Sequence, residues 1–322
     1  MMDIAGRFEQ NSPKLLFVAS TGGHLEQIVR LSRASSASAD SVWVTFDSPQ
    51  SDSLLASRRN VRIPEIPTRD WRGALKSISI FDRILSEEKF DGVVSTGAAI
   101  AVPAFIAARK KRVPTLYVES VSRVEGPSMT GRLVAGTRLA GSLQTQHEHW
   151  AGPRWKFHGS VLESYTSSPR QNSGYSSAFV TLGTLKKYQF PAMVESVLRA
   201  GAANSETVWQ LGSTPPPASL PGEAFDYLPS SRFDELSSQA DVVVSHAGVG
   251  SVLRLLSLGV YPILLVRRSS RGEQVDDHQA QIADVMRTHD LAVVREVDDL
   301  VREDFDLAAS RQVTIRSDIA GD

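Results

Sequence analysis

Val242-Val243-Val244-Ser245-His246-Ala247-Gly248-Val249-Gly250-Ser251-Val252-Leu253-Arg254-Leu255-Leu256 runs from β-branched residues, through a turn rich in small ones, into a leucine-rich helical pattern. Strand, turn and helix start in that order are the repeating unit of a parallel sheet. Free backbone N–H groups at such a helix start suit an anion, and the hydroxyls of Ser245 and Ser251 add donors. No Gly-Lys-Ser/Thr follows, as a nucleotide-hydrolysing loop requires, and Gly248 and Gly250 lack the spacing of a dinucleotide fingerprint. By itself the stretch specifies an α/β fold with an anion site.

The same alternation extends along the chain. Strands are expected at 14–20, 41–46, 92–95, 115–119 and 141–145, with helices at 24–34, 72–89, 100–111 and 129–135. Residues 164–177 are serine-rich and aperiodic, and read as a linker. Beyond it, strands are expected at 178–182, 207–211, 241–245, 260–266 and 291–295, with helices at 191–200, 232–239, 250–258 and 275–287. The division is a polar tail (1–13), a first domain (14–163), the linker, and a second domain (178–322).

A chain of 322 residues is long enough for two cores. Hydrophobic residues at 41% and charged residues at 22% are the balance of a soluble globular protein. A net charge of −1 gives no global field for nucleic acid, and the absence of cysteine excludes disulfides, thiolate metal sites and a cysteine nucleophile. No stretch reaches the roughly 18 apolar residues of a membrane span. The expectation is a cytoplasmic protein whose membrane contact, if any, is peripheral.

In open α/β sheets ligands gather beyond the carboxyl ends of the strands. Four further segments fall there. Thr21-Gly22-Gly23-His24 follows the first strand; the glycines read either as a tight turn or as a loop that lets a ligand approach. His24 at a helix start can take a proton near neutral pH, and the helix N-terminus favours its neutral form. Ser95-Thr96-Gly97 is either a turn into an alanine-rich helix or a second ligand loop. Tyr117-Val118-Glu119-Ser120 puts a carboxylate at a strand end, as a base or as an acceptor for a substrate hydroxyl. Arg267-Arg268, Arg271 and Glu273 precede Asp276-Asp277-His278-Gln279. The arginines are read either as neutralising a diphosphate or as a solvated loop, and the polar run suits sugar hydroxyls.

Together these motifs resemble the UDP-sugar glycosyltransferases of the GT-B fold, family 28 type. The chain looks like a fusion of the two subunits of the asparagine-linked-glycosylation N-acetylglucosaminyltransferase, and is similar to bacterial capsule and exopolysaccharide enzymes. The resemblance implies two Rossmann-like domains facing across a cleft. The first would bind a polyprenyl-diphosphate-linked glycan through Thr21, Gly22, Gly23, Thr96, Gly97, Ser120 and Arg123. The second would hold the UDP-sugar through Gly183, Thr184, Ser245, His246, Ala247, Gly248, Gly250, Ser251, Arg268, Glu273, Asp277, His278 and Gln279. His24 or Glu119 would be the catalytic base of an inverting displacement, with no obligatory metal or other cofactor. An epimerase of the same layout, or a non-catalytic UDP-sugar-binding subunit, are the alternatives.

Two departures stand out. Arg254 occupies the position where the family usually has a ribose-binding glutamate. The N-terminal membrane anchor usual in the acceptor-binding subunit is not seen. Peripheral attachment falls either to the apolar run 98–108 with the basic cluster Arg109 to Arg112 or to a partner protein, and the same run reads equally as a buried helix with a solvated basic end.

Overall fold

The computed structural model describes residues 8, 12–33, 35–66, 70–171, 174–183, 188–273 and 278–316. They form two compact units, one ending at Ser164 and the other spanning Tyr165–Arg316.

The first unit runs β1 (Leu15–Val18), α1 (Gly23–Arg33), β2 (Val42–Phe46), α2 (Pro49–Leu54), β3 (Asn60–Ile63), α3 (Trp71–Glu87), β4 (Gly92–Ser95), α4 (Ala101–Lys111), β5 (Thr115–Val118), α5 (Met129–Gly136), β6 (Ser142–Thr145) and β7 (Lys156–Phe157). Its strands form one parallel sheet in the order β3-β2-β1-β4-β5-β6-β7. The chain builds outward from β1 to β3, then returns to add β4 on the other side of β1. The order therefore reverses between β1 and β4, the topological switch at which α/β sheets open a crevice. All four residues of β1, β4 and β5 are buried, as strands covered on both faces must be.

α4 lies inside this unit. Ala101, Val102, Ala104, Phe105, Ala107 and Ala108 are buried and packed in the core with Phe81 and Tyr117. Of the two readings of run 98–108, the structure bears out the buried helix and not the membrane contact. The segment is apolar on most sides because protein covers it, and only its basic end, Arg109 to Arg112, is exposed. Among the described residues, no helix is long and apolar enough to cross a membrane.

The second unit runs β8 (Tyr165–Pro169), β9 (Ala178–Thr181), α6 (Pro191–Arg199), β10 (Thr207–Gln210), β11 (Glu223–Phe225), α7 (Ser230–Gln239), β12 (Val242–His246), α8 (Val249–Ser257), β13 (Ile263–Leu265), α9 (His278–Thr288), β14 (Val293–Arg295), α10 (Arg302–Ala309) and β15 (Arg311–Ile315). The parallel order β11-β10-β9-β12-β13-β14 repeats the first unit's logic, with its switch between β9 and β12. Phe179 and Phe233 meet edge-on at 5.4 Å in its core, beside Val243 and Leu255.

Within the stretch read as a linker, Tyr165–Pro169 is a strand, paired antiparallel with β15. The ladder rests on backbone groups, and its buried side chains are few: Tyr165 at 4% exposure and Val313 at 3%. A strand with so little apolar alternation leaves no periodic signal.

Candidate active site

At the first unit's switch, β1 leads through Thr21-Gly22 into α1, and β4 leads into Thr96-Gly97. His24, in the first turn of α1, places Nδ1 2.7 Å from the Thr96 carbonyl, while Thr96 Oγ1 donates back to the His24 carbonyl at 2.9 Å. A carbonyl only accepts, so Nδ1 carries the proton and Nε2 keeps its lone pair. Burial lowers the imidazole's pKa below its usual value; the nearby Arg123 charge acts in the same direction, against the Thr96 hydrogen bond. The ring is thus a neutral base held in one tautomer. Gly97, at φ +119°, makes room for it: a Cβ there would stand 3.0 Å from His24 Cε1 and 2.9 Å from the Tyr117 hydroxyl.

Gly22 is clamped by Gln50, whose Oε1 accepts from its N–H (2.6 Å) and whose Nε2 donates to its carbonyl (3.1 Å). Of the expected acceptor residues, Thr21, Gly22, Gly23 and Arg123 are at least partly exposed, whereas Thr96, Gly97 and Ser120 are buried. The Ser120 hydroxyl accepts from Gln27 Nε2 at 3.0 Å, so it supports the loop from within.

Glu119 is fully buried. Its Oε1 accepts from Ser120 N–H (3.1 Å), and its Oε2 from Ser128 N–H (2.9 Å) and Ser128 Oγ (3.0 Å). Burial raises its pKa, and the hydrogen bonds from Ser128 and Ser120 pull the other way. A carboxylate saturated in this way anchors Ser128, the N-cap of α5; it has no open oxygen with which to take a substrate proton. Between the two candidate bases, the geometry favours His24.

A layer of buried amides behind these loops escaped sequence reasoning. Gln27 Oε1 accepts from Val121 N–H (2.8 Å) and Gln146 Nε2 (2.9 Å), and Gln146 also reaches the Glu119 carbonyl (2.9 Å). Its one legible trace is Gln27, three residues after His24 and so on the same side of α1.

At the second unit's switch, β9 ends in Leu182-Gly183 and β12 in His246-Ala247-Gly248. His246 is 6% exposed. A Cβ on Gly183 would lie 2.5 Å from its Cε1, and one on Gly248 2.3 Å from its Nε2. The imidazole is thus gripped between two loops that only glycine allows so close. Burial and the Arg267 charge push its pKa down to about 3, against the Thr181 carbonyl, so it is neutral throughout the physiological range.

α8 begins at Val249 with Gly248 as N-cap and no side-chain cap, so the N–H groups of its first turn have no side-chain acceptor. Gly248, Gly250 and Ser251 are partly exposed there. The Ser245 expectation is corrected: its buried hydroxyl donates to the His246 carbonyl (3.0 Å) and offers nothing outward. Ala247 is buried as well.

The arginines are largely committed. Arg268 pairs with Glu296 at 2.6 Å, and Arg271 with Glu273 at 2.9 Å. Glu273 also accepts from Arg268 N–H (3.0 Å), which makes it a loop brace rather than a sugar contact. Gln279 is buried, with Oε1 unpartnered. Thr184 and Asp277 lie outside the described residues, as does the side chain of His278, the first residue of α9. Arg254 makes a two-point pair with Asp234 of α7 (2.5 and 2.6 Å) and lies over the Phe233 ring.

Two parallel-sheet units of this strand order are the layout of the GT-B fold. Residues 179–303 match the glycosyltransferase family 28 C-terminal domain. The chain is 26% identical over 297 residues to the UDP-N-acetylglucosamine–N-acetylmuramyl-(pentapeptide) pyrophosphoryl-undecaprenol N-acetylglucosamine transferase of Synechococcus sp. CC9311, covering 84% of this chain and 80% of that one. A shorter match, 38% over 69 residues, is to the UDP-N-acetylglucosamine transferase subunit ALG13 of Cryptococcus neoformans; it covers 21% of this chain and 33% of the subunit. Among solved structures, Acinetobacter baumannii MurG is similar in fold (TM-score 0.52, 18% identity, 92% of this chain and 89% of that one). So is the UDP-GlcNAc 2-epimerase of Methanocaldococcus jannaschii (TM-score 0.54, 13% identity, 92% and 91%).

Proposed function

We propose that the protein is an inverting glycosyltransferase that moves a sugar from a UDP-sugar to a polyprenyl-diphosphate-linked sugar, in polysaccharide (capsule or exopolysaccharide) or glycolipid synthesis. The observation that carries this reading is the His24–Thr96 bond at the first switch, which fixes a neutral imidazole with Nε2 ready to accept a proton. His24 deprotonates the acceptor hydroxyl, whose oxygen attacks the anomeric carbon of the donor. The sugar–phosphate bond breaks, UDP leaves, and one displacement inverts the centre. The uncapped first turn of α8 stabilises the charge on the departing diphosphate, so the reaction needs no metal. The similarity to the Synechococcus enzyme, whose name specifies this donor nucleotide and a lipid-linked acceptor, supports both substrate classes.

We place the protein in the cytoplasm, peripherally at the inner face of the membrane that carries the acceptor. Leu75 (60% exposed) and Met129 (63%) support this reading. Met129 opens α5 and Leu75 lies at the start of the second turn of α3, both helices beginning at the carboxyl edge of the first sheet, with Arg72 and Arg132 exposed beside them.

The test is a thermal-shift panel of UDP-sugars with UDP, GDP and TDP, followed by transfer assays with and without a polyprenyl-diphospho-sugar. A uridine-selective rise in melting temperature and acceptor-dependent release of UDP are expected. Absence of any shift with uridine nucleotides sinks the donor assignment. Turnover of the UDP-sugar without acceptor identifies an epimerase instead.

A further inference from the structure

We propose that Arg267 is the residue that positions the Leu182–Gly183 peptide at the end of β9 for a nucleotide diphosphate, an inference that rests on the donor reading above. Arg267 follows β13 and is 2% exposed, one of the largest fully buried side chains of the protein. Burying a guanidinium is costly unless its donors are met. Here they are met by backbone carbonyls: Nη2 donates to Leu182 O at 2.6 Å, and Nη1 reaches Tyr188 O at 3.4 Å and Glu273 O at 3.5 Å. The plane lies over the Phe190 ring at 5.1 Å, and Nε is buried without a partner.

The Leu182 bond has a directional consequence. In a planar trans peptide, C=O and the following N–H point in opposite directions. Drawing the Leu182 carbonyl inward onto Arg267 therefore turns the Gly183 N–H outward, at the switch between β9 and β12. Among the described residues that N–H has no acceptor. Gly183 stands at φ +82° with its missing side chain against His246, so the loop is held from both sides.

Charge points the same way. Arg268 and Arg271 are offset by Glu296 and Glu273. Two carboxylates against three guanidiniums leave one net positive charge among the described residues of this loop, and Arg267, which also feels the Glu273 carboxylate, shares in it. The Arg267 guanidinium lies directly behind the peptide that faces the ligand and draws a diphosphate without touching it. Burial lowers the pKa of the guanidinium, and the Glu273 charge acts against it.

The discriminating measurement is calorimetric binding of UDP and of UMP to the wild-type chain and to Arg267→Met and Arg267→Lys, with the melting temperature of each recorded. UMP shares every nucleoside contact, so the UDP-over-UMP preference isolates the terminal phosphate. The preference is expected to fall about tenfold in R267M, the scale of one lost charge-assisted hydrogen bond, with the UMP Kd changed less than about twofold. R267K keeps the charge but not the planar fork, and an intermediate loss of about threefold is expected. Should R267M fail to fold, R267K decides. An unchanged preference in a folded variant, or equal weakening of UDP and UMP, overturns the inference. A wild-type chain that binds UDP no better than GDP overturns the donor reading itself, and this inference with it.

Discussion

His24 and His246 stand at the switch points of two sheets built on the same plan, one in the helix after β1 and the other at the end of β12, and the protein treats them in opposite ways. At the first switch the imidazole is tied by one carbonyl, partly exposed, and left with a basic nitrogen. At the second it is buried between Gly183 and Gly248, and Nδ1 has no partner. Burial depresses both pKa values, but only the first ring is placed to exchange a proton. The second serves as a wedge that sets the distance between two ligand-facing loops. A histidine at the switch point is thus left open to proton exchange in one unit and packed as a spacer in the other.

The sharpest way to break this comparison is His24→Ala. Loss of a general base costs typically about 10²–10⁴ in rate, so kcat should fall by that much while the Kd of UDP stays unchanged. Comparable activity would remove His24 from the chemistry. With wild-type protein, kcat/KM should rise with pH with its midpoint below pH 6.5, because the lowered pKa leaves the base free at lower pH. A midpoint above 6.5 would contradict the assigned cause.

Gly183→Ala attacks the wedge. It forces a side chain into a positive-φ position and against the His246 ring, and costs about 1–3 kcal/mol of strain together with a roughly tenfold weaker UDP Kd. UDP affinity equal to wild type would show that the loop does not approach the ligand.

His246→Asn sharpens the contrast through stability. A histidine whose folded pKa lies near 3, against 6.5 unfolded, binds fewer protons in the native state across that window. Stability is therefore lost as pH falls from about 6.5 towards 3, at up to about 1.4 kcal/mol per pH unit from this group. Chemical denaturation at pH 7 and pH 5 should show a smaller drop for the variant than for wild type. Equal drops would place the ring in contact with solvent.

The smallest effect on catalysis is expected from Glu119→Gln. It exchanges an acceptor for a donor facing Ser128 and should cost about 1–3 kcal/mol in stability. Activity per folded molecule should remain within a few-fold of wild type. A loss as large as that of His24→Ala would restore Glu119 as the base.

Much of this contrast was legible in the sequence, because parallel sheets place their ligand loops straight after apolar strands. Thr21 to His24, Ser95 to Gly97 and Ser245 to Ser251 were found that way, and each lies at a sheet's carboxyl edge. What each side chain does there depended on partners far along the chain. The Ser245 hydroxyl turns inward onto the backbone, Arg268 meets Glu296 twenty-eight residues on, and Arg254 meets Asp234 twenty residues back. Edge strands were missed for a different reason. β3 is largely uncovered, and β8 and β11 bury little, so their residues carry no strong apolar period. For α4 the sequence left two readings open, because an apolar helix enclosed by protein and one facing lipid have the same composition.

The pairing of β8 with β15 bears on how the second unit is made. It joins Tyr165 to Ile315 and Pro169 to Arg311, the first and last strands of that unit. Contacts across so long a loop form late, because closure entropy must be met before they contribute. During synthesis the six-stranded sheet can assemble while β8 still waits for its partner. A ribosome-stalled chain ending before Arg311 should therefore expose β8 to proteases, and release of five more residues should protect it.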